Sequence, residues 1–347
     1  MKVNQIIFGF LFLSLNSFAQ DIHFTQMAQT PLLINPAAAG VFDGWERIII
    51  NHRNQWLGAS TQFMTTNISG DMNLFKSDRN DKAYMGLGVM FYNDIGGDSQ
   101  FGQRQGSVTV SGILPMGGTG HTISAGIQGG FANRSGNASA LSFRNQWDGE
   151  QFNPLNISGE QNKLAGFNYI DASAGLYYVF DGSQTNFRRK SDFKFQLGFS
   201  GYHLNAPEFK FNNGGVGERL MRKYIGHAGI VTDLGDSKMA LDANVVQTIQ
   251  GPHMETLLGV MLRYRFINGT LITGNSQNAF FGIGLYTRLN DAIMPSILID
   301  YKGFQFGLSY DVTLSALRNA YNGGSLEFSL SYVNRNHALF KKRRGKF

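Results

Sequence analysis

The chain has 347 residues, 42% hydrophobic and 16% charged, with 43 Gly, 29 Phe, 13 Tyr and no Cys. That much Gly excludes a helical bundle or coiled coil, since each Gly inside a helix costs ~1 kcal/mol against Ala, and so many aromatics with so few charges exclude disorder. The absent Cys removes disulfides, thiolate metal sites, a cysteine nucleophile and a lipoprotein anchor; the net charge of +6 comes from Lys2 and six basic residues in Asn334–Phe347, leaving residues 20–333 at −1 and a body with no electrostatic footprint for nucleic acid.

Residues 1–19 read as a signal peptide. Met1-Lys2 is a short positive start, Ile6–Leu15 an apolar core, and Ser17-Phe18-Ala19 puts small residues at −3 and −1 of a cut before Gln20. Export is the consequence, and beyond residue 20 no run of ~18 apolar residues could cross a bilayer as a helix. Residues 20–44 form an N-terminal segment of another kind. Gln26–Gly40 holds Pro31, Pro36 and a run of small residues, a composition that suits neither a strand nor a stable helix. It is expected at the periplasmic mouth of the β-structure formed by residues 45–333, or as a plug in its lumen, with Asn35, Pro36 and Gly40 as its plug or docking residues.

From residue 45 to 333 the pattern has a period of two. Phe304, Phe306, Leu308, Tyr310, Val312 and Leu314 alternate with Gln305, Gly307, Ser309, Asp311 and Thr313; Phe193, Phe195, Leu197 and Phe199 alternate with Lys194, Gln196, Gly198 and Ser200. Such alternation puts the two sets on opposite faces of a strand. One face is apolar and aromatic while the other is small or polar. The runs exceed the ~5–6 residues of ordinary strands and match the ~9–11 that cross a bilayer at a tilt, so the apolar face points to lipid. Fourteen runs can be marked: 45–52, 63–74, 84–93, 104–114, 120–132, 168–180, 193–204, 222–233, 238–249, 256–267, 279–289, 292–301, 304–313 and 325–333. An even count closes an antiparallel barrel without free edges. The fold expected is all-β, a 14-stranded transmembrane antiparallel barrel with a periplasmic N-terminus, in the cell outer membrane and in contact with its lipid.

Periplasmic termini put the long connections 133–167 and 205–221 outside and the very short ones, 235–237 and 302–303, inside. The 35-residue connection 133–167 carries Phe143, Arg144, Trp147 and Phe152, residue types favoured as interface anchors. Arg53, Gln55 and Trp56 come directly after the first run and are expected on the outer rim, gripping a partner. Inward charges are nearly balanced: Arg47, Lys194, Arg263, Arg265 and Arg288 against Asp71, Asp233, Asp242, Asp300, Asp311 and Glu327. This favours cross-strand ion pairs bracing a narrow or filled interior over a selective pore. Residues 334–347 form a basic tail. Catalytic signals are missing: the seven His show no paired spacing, Gly-x-Ser-x-Gly does not occur, and Gly86-Leu87-Gly88 and Gly282-Ile283-Gly284 sit inside strands with no helix after them. No enzyme activity, cofactor or metal is expected.

Gln26…Pro31-Leu32…Asn35-Pro36-Ala37-Ala38-Ala39-Gly40, with Arg53-Asn54-Gln55-Trp56 after it, resembles the start of the PorP/SprF family of type IX secretion membrane proteins. Gly86-Leu87-Gly88…Tyr92-Asn93-Asp94-Ile95-Gly96, Gly175-Leu176-Tyr177-Tyr178 and the final Tyr310-Asp311-Val312…Leu314…Leu317 are similar to its hairpins and end, while the fourteen-residue tail departs from it. The resemblance implies a non-enzymatic outer-membrane barrel that supports export or surface anchoring of an adhesin in gliding bacteria. Its implied partners are the adhesin's C-terminal signal domain outside and components of the periplasmic secretion ring. A porin-like solute channel is the competing reading.

Overall fold

The computed structural model describes residues 22, 24–55, 63–77, 82–137, 140–159, 166–182, 193–209, 218–235, 237–267, 279–314 and 324–335. The signal peptide, Trp56 and the tail beyond 335 lie outside the described residues. In chain order the strands are β1 (Glu46–Gln55), β2 (Phe63–Leu74), β3 (Tyr84–Gly96), β4 (Phe101–Met116), β5 (His121–Ser135), β6 (Phe167–Asp181), β7 (Lys194–Tyr202), β8 (Glu208–Phe209), β9 (Glu218–Arg219), β10 (Lys223–Asp233), β11 (Met239–Gln250), β12 (His253–Ile267), β13 (Ala279–Arg288), β14 (Ala292–Tyr301), β15 (Phe304–Thr313) and β16 (Ser325–Asn334). Fourteen of them form one closed antiparallel barrel, with β1 paired to both β2 and β16. The remaining two, β8 and β9, make a small separate hairpin in the connection after β7, which the sequence pattern does not announce.

Local alternation builds the wall. In β4, Val108 is 54% exposed and Val110 and Leu114 share its face, while Gln105, Ser107, Thr109 and Ser111 point inward and are buried. The same inversion holds in β13, where Ile283 and Leu285 face out and Gly282, Gly284 and Tyr286 face in. A soluble sandwich would bury the apolar set; a barrel in lipid exposes it. Every strand of the barrel is satisfied by two neighbours, so no backbone edge faces hydrocarbon.

Both the start of β1 and the end of β16 lie at one end of the barrel, here the terminal end, where Trp45 N–H donates to the Asn334 carbonyl. The connections 136–166 and 203–222 lie at the opposite, loop end. Loop length separates the ends less sharply than the sequence implies, since the short turns 251–252 and 289–291 are at the loop end. β1 also runs three residues past the expected 45–52, which changes where Arg53 and Gln55 sit.

Residues 22–44 run through the lumen from one end to the other. Ile22 packs with Leu32, Met90 and Tyr92 in the loop-end half, whereas Gly44 meets Val333 and Asn334 at the terminal end. Proline shapes this path. Pro31 opens the single helical turn Pro31–Ile34 and Pro36 opens the tight turn Pro36–Ala38, both at the first position, where a missing N–H costs nothing. Leu32, Pro36, Ala37 and Ala39 are almost wholly buried.

Candidate functional site

The wall contributes small and polar side chains to seat the lumen segment. Asn35 is the centre of this seat and is 0% exposed. Its Oδ1 accepts from Ala37 N–H at 2.9 Å, capping the turn, and its Nδ2 donates to the Leu176 carbonyl on β6 at 2.9 Å and lies 3.1 Å from His227 Nε2 on β10. Around it the segment's carbonyls take wall hydroxyls: Ser111 donates to Ala39, Ser124 to Ala37, Ser200 to Ile34 and Tyr202 to Leu32. Asp71 accepts from Gly40 N–H at 2.9 Å. Gly40 has φ +74°, a left-handed conformation that Gly adopts without penalty, and it lets the chain turn out of the lumen toward β1.

Nearer the start of the segment the anchor is a carboxylate. Glu327 on β16 accepts from both Thr25 N–H (2.8 Å) and Gln26 N–H (3.1 Å), while Ser329 donates to Gln26 Oε1 and Gln29 donates to Gln305. The segment thus touches β2–β7 on one side and β10, β15 and β16 on the other. Ile34 packs against the apolar cluster that includes Tyr202, Ile225, Met261 and Met294.

Inward glycines allow the close approach. A Cβ on Gly126 would stand 2.6 Å from the Pro36 carbonyl carbon and oxygen, and one on Gly86 would collide with the Ala39 carbonyl. Gly126 and the wall serines are residues that sequence reasoning missed, and for Gly86 and the inward Glu327 it missed the role of seating the segment. Their signal was the small-or-polar inward face itself, which a linear reading records as the mere complement of the apolar one.

Ion pairs brace the wall around the segment. Arg47 makes a two-pronged pair with Asp71 (2.9 and 2.7 Å), Arg288 pairs with Asp311 (2.8 Å) and Asp291 (2.7 Å), and Arg263 and Arg265 pair with Asp242 and Asp233. Lys194 pairs with Asp181 and Asp300 with Arg335.

Arg53 belongs to this lumen network, which corrects the expectation that it grips a partner at the outer rim. It is 3% exposed, with Nη2 3.1 Å from Asp311 Oδ2. The reason is parity: Ile49, Asn51 and Arg53 share the buried face of β1, and a charge on the other face would enter lipid. Gln55, the last residue of β1, is half-buried and paired in register with Phe63. Asn35 and Pro36 are likewise enclosed in the lumen and present no surface for docking from the periplasm.

Residues 143–158, in the connection after β5, are held by their own hydrogen bonds. Gln146 Oε1 accepts from Phe143 N–H, a tight turn at Asp148–Gln151 brings Trp147 beside Phe152, and Asn153 N–H returns to the Gln146 carbonyl. Asp148 Oδ1 accepts from Gln151 and Glu150 N–H (2.8 and 2.9 Å), and these backbone bonds, Gln151 foremost, hold its carboxyl below the ordinary carboxylate range. Arg144, Trp147 and Phe152 are exposed, Phe143 is half-buried, and Leu155 and Ile157 stand 88% and 82% exposed. The loop brings four of the residues singled out in the sequence to one place. Arg53 and Gln55 are not among them.

No group of three His, Asp or Glu among the described residues is placed to hold a metal ion. The family model described as type IX secretion system membrane protein PorP/SprF matches residues 16–332. No curated protein matches. Among solved structures, the chain is similar to the Ralstonia pickettii toluene transporter TbuX (10% identity, TM-score 0.49, covering 88% of this chain and 93% of that one). It is also similar to the KdgM porin (8%, 0.36, 82% and 98%) and to BamA from Haemophilus ducreyi lacking POTRA domains 1–3 (7%, 0.42, 84% and 70%).

Proposed function

This chain belongs to the PorP/SprF family of type IX secretion system membrane proteins, and from that premise we propose that it supports export or surface anchoring of an adhesin by binding the adhesin's C-terminal signal domain at the loop end. The coarser statement needs no proposal: with its closed wall and apolar exterior the chain is an outer-membrane barrel of the type IX machinery. In the proposed arrangement the loop end faces outward and the terminal end faces the periplasm, within reach of the secretion ring. The role is non-enzymatic, resting on holding rather than on bond-making.

The observation that carries this reading is the hydrogen-bonded stretch 143–158, which exposes Trp147, Phe152, Leu155 and Ile157 instead of folding them into the lumen. Large apolar side chains held in the open on a hydrogen-bonded frame fit an interaction surface, and Trp with Arg is the usual composition of binding anchors. Against a solute channel stands the segment 22–44, seated across the lumen by bonds to both sides of the wall.

Deletion of residues 141–158 tests the proposal. The barrel should still assemble, shown by heat-modifiable migration in gels, while the adhesin is released into the medium. Full retention on the cell surface refutes the docking role, and steady ion conductance of the intact barrel in planar bilayers would favour the channel.

A further inference from the structure

Between the lumen segment and the wall at the terminal end lies a cavity that the proposed function does not use. Its lining comes from Gln29, Phe42 and Asp43 of the segment and from Arg47, Arg263 and Arg335 of the wall, with the hydroxyl of Ser331 beside them. Three guanidinium groups and one carboxylate line the same space. The arginines approach from β1, from β12 and from the residue after β16, three stretches far apart in sequence.

The carboxylates behind these arginines leave donors to spare. A guanidinium carries five N–H donors, and a carboxylate facing it takes two. Arg47 gives Asp71 two of its five donors, through Nε and Nη2, and lies over the Phe42 ring. Arg335 reaches Asp300 only at 3.4 Å, and that oxygen already accepts from Gln305 at 2.7 Å. The Nε atoms of Arg263 and Arg335 are both buried without an acceptor among the described residues. Buried unpaired donors on charged groups are costly, and an acceptor from outside the chain is one way to satisfy them. The cavity is walled off from lipid by the barrel, so its ligand comes from the aqueous side.

We propose that this terminal-end cavity binds an anionic oxygen ligand, a phosphate or carboxylate group, held between Arg263 and Arg335 with Arg47 and Ser331 at its margin. The ligand is free in solution or borne by an acidic polypeptide. The two sources share one chemistry and differ in size.

Calorimetric titration of the full chain in detergent at low salt, with inorganic phosphate and separately with a hexaglutamate peptide, tests this. Binding of phosphate alone identifies a free anion; binding of the peptide, at equal or higher affinity, identifies a polypeptide ligand. Arg335→Gln, which lies beyond the last strand and leaves Asp300 its Gln305 partner, should weaken binding about tenfold or more. Ser331→Asp, which places a competing carboxylate in the cavity, should abolish it. Heat-modifiable migration of both variants confirms an intact barrel. No binding of either probe to the wild type, or binding that both intact variants retain at full strength, overturns the proposal.

Discussion

Replacing Asn35 by Ala should unseat the lumen segment while leaving the wall intact. The side chain makes three contacts: Ala37 N–H at 2.9 Å, the Leu176 carbonyl at 2.9 Å and His227 at 3.1 Å. All lie in a buried setting, where each group left unpaired costs ~1–3 kcal/mol. Taking a loss of ~3 kcal/mol, the unseated population rises roughly 150-fold. None of these bonds joins one strand to another, so the ladder that closes the barrel should not change. Because the chain has no Cys, a single reporter suffices. Ser124 is 1% exposed beneath Ala37, and Ser124→Cys should react with a maleimide only when the segment lifts. When opening is fast relative to labelling, the rate tracks the open population. The labelling rate in Asn35→Ala should then exceed that of the parent by about two orders of magnitude. Equal rates in two intact barrels would refute the view that Asn35 holds the segment.

Gly126→Val should displace the segment by overlap, because even the Cβ stands 2.6 Å from the Pro36 carbonyl; planar-bilayer recordings should show open conductance, and a silent, intact variant counts against a seated plug. Glu327→Gln replaces the charged acceptor of Thr25 and Gln26 N–H, bonds worth ~1.5–3 kcal/mol each to a charged group, and should expose residues 22–30 to added protease while 35–40 stay protected; equal protection throughout contradicts this anchor. Asp148 titrates below the ordinary carboxylate value of 3.8, so its support of the loop turn is complete above that value and lost as the pH falls through its lowered one. In a Trp45→Phe/Trp56→Phe background, Trp147 fluorescence should therefore hold steady through the ordinary carboxylate range and change only in stronger acid, and a change above about pH 4 would speak against the turn.

By itself the sequence determined the strands, and it did so because a strand's two faces are written in adjacent residues. All fourteen runs appear as barrel strands, with ends moved by a few residues, and Phe304–Leu314 shows why: lipid outside and a polar lumen inside impose a period of two that no distant contact alters. Pro31 and Pro36 likewise marked residues 26–40 as foreign to the sheet. What only the tertiary structure decided is what meets inside the ring. Thr25 N–H and the Glu327 carboxylate are 302 residues apart in sequence, and nothing local pairs them. The run 45–52 ends just before Arg53, which therefore reads as a rim residue; the ladder continues to Gln55 against β2 and to Asn54 against β16, and this puts Arg53 in the lumen beside Asp311. The inward glycines carry the same lesson, since an absent side chain has meaning only once the structure shows that the Pro36 backbone fills its place. Closure of the barrel is the physical reason: it turns one face of fourteen separate strands into a single surface, and only that surface defines a seat.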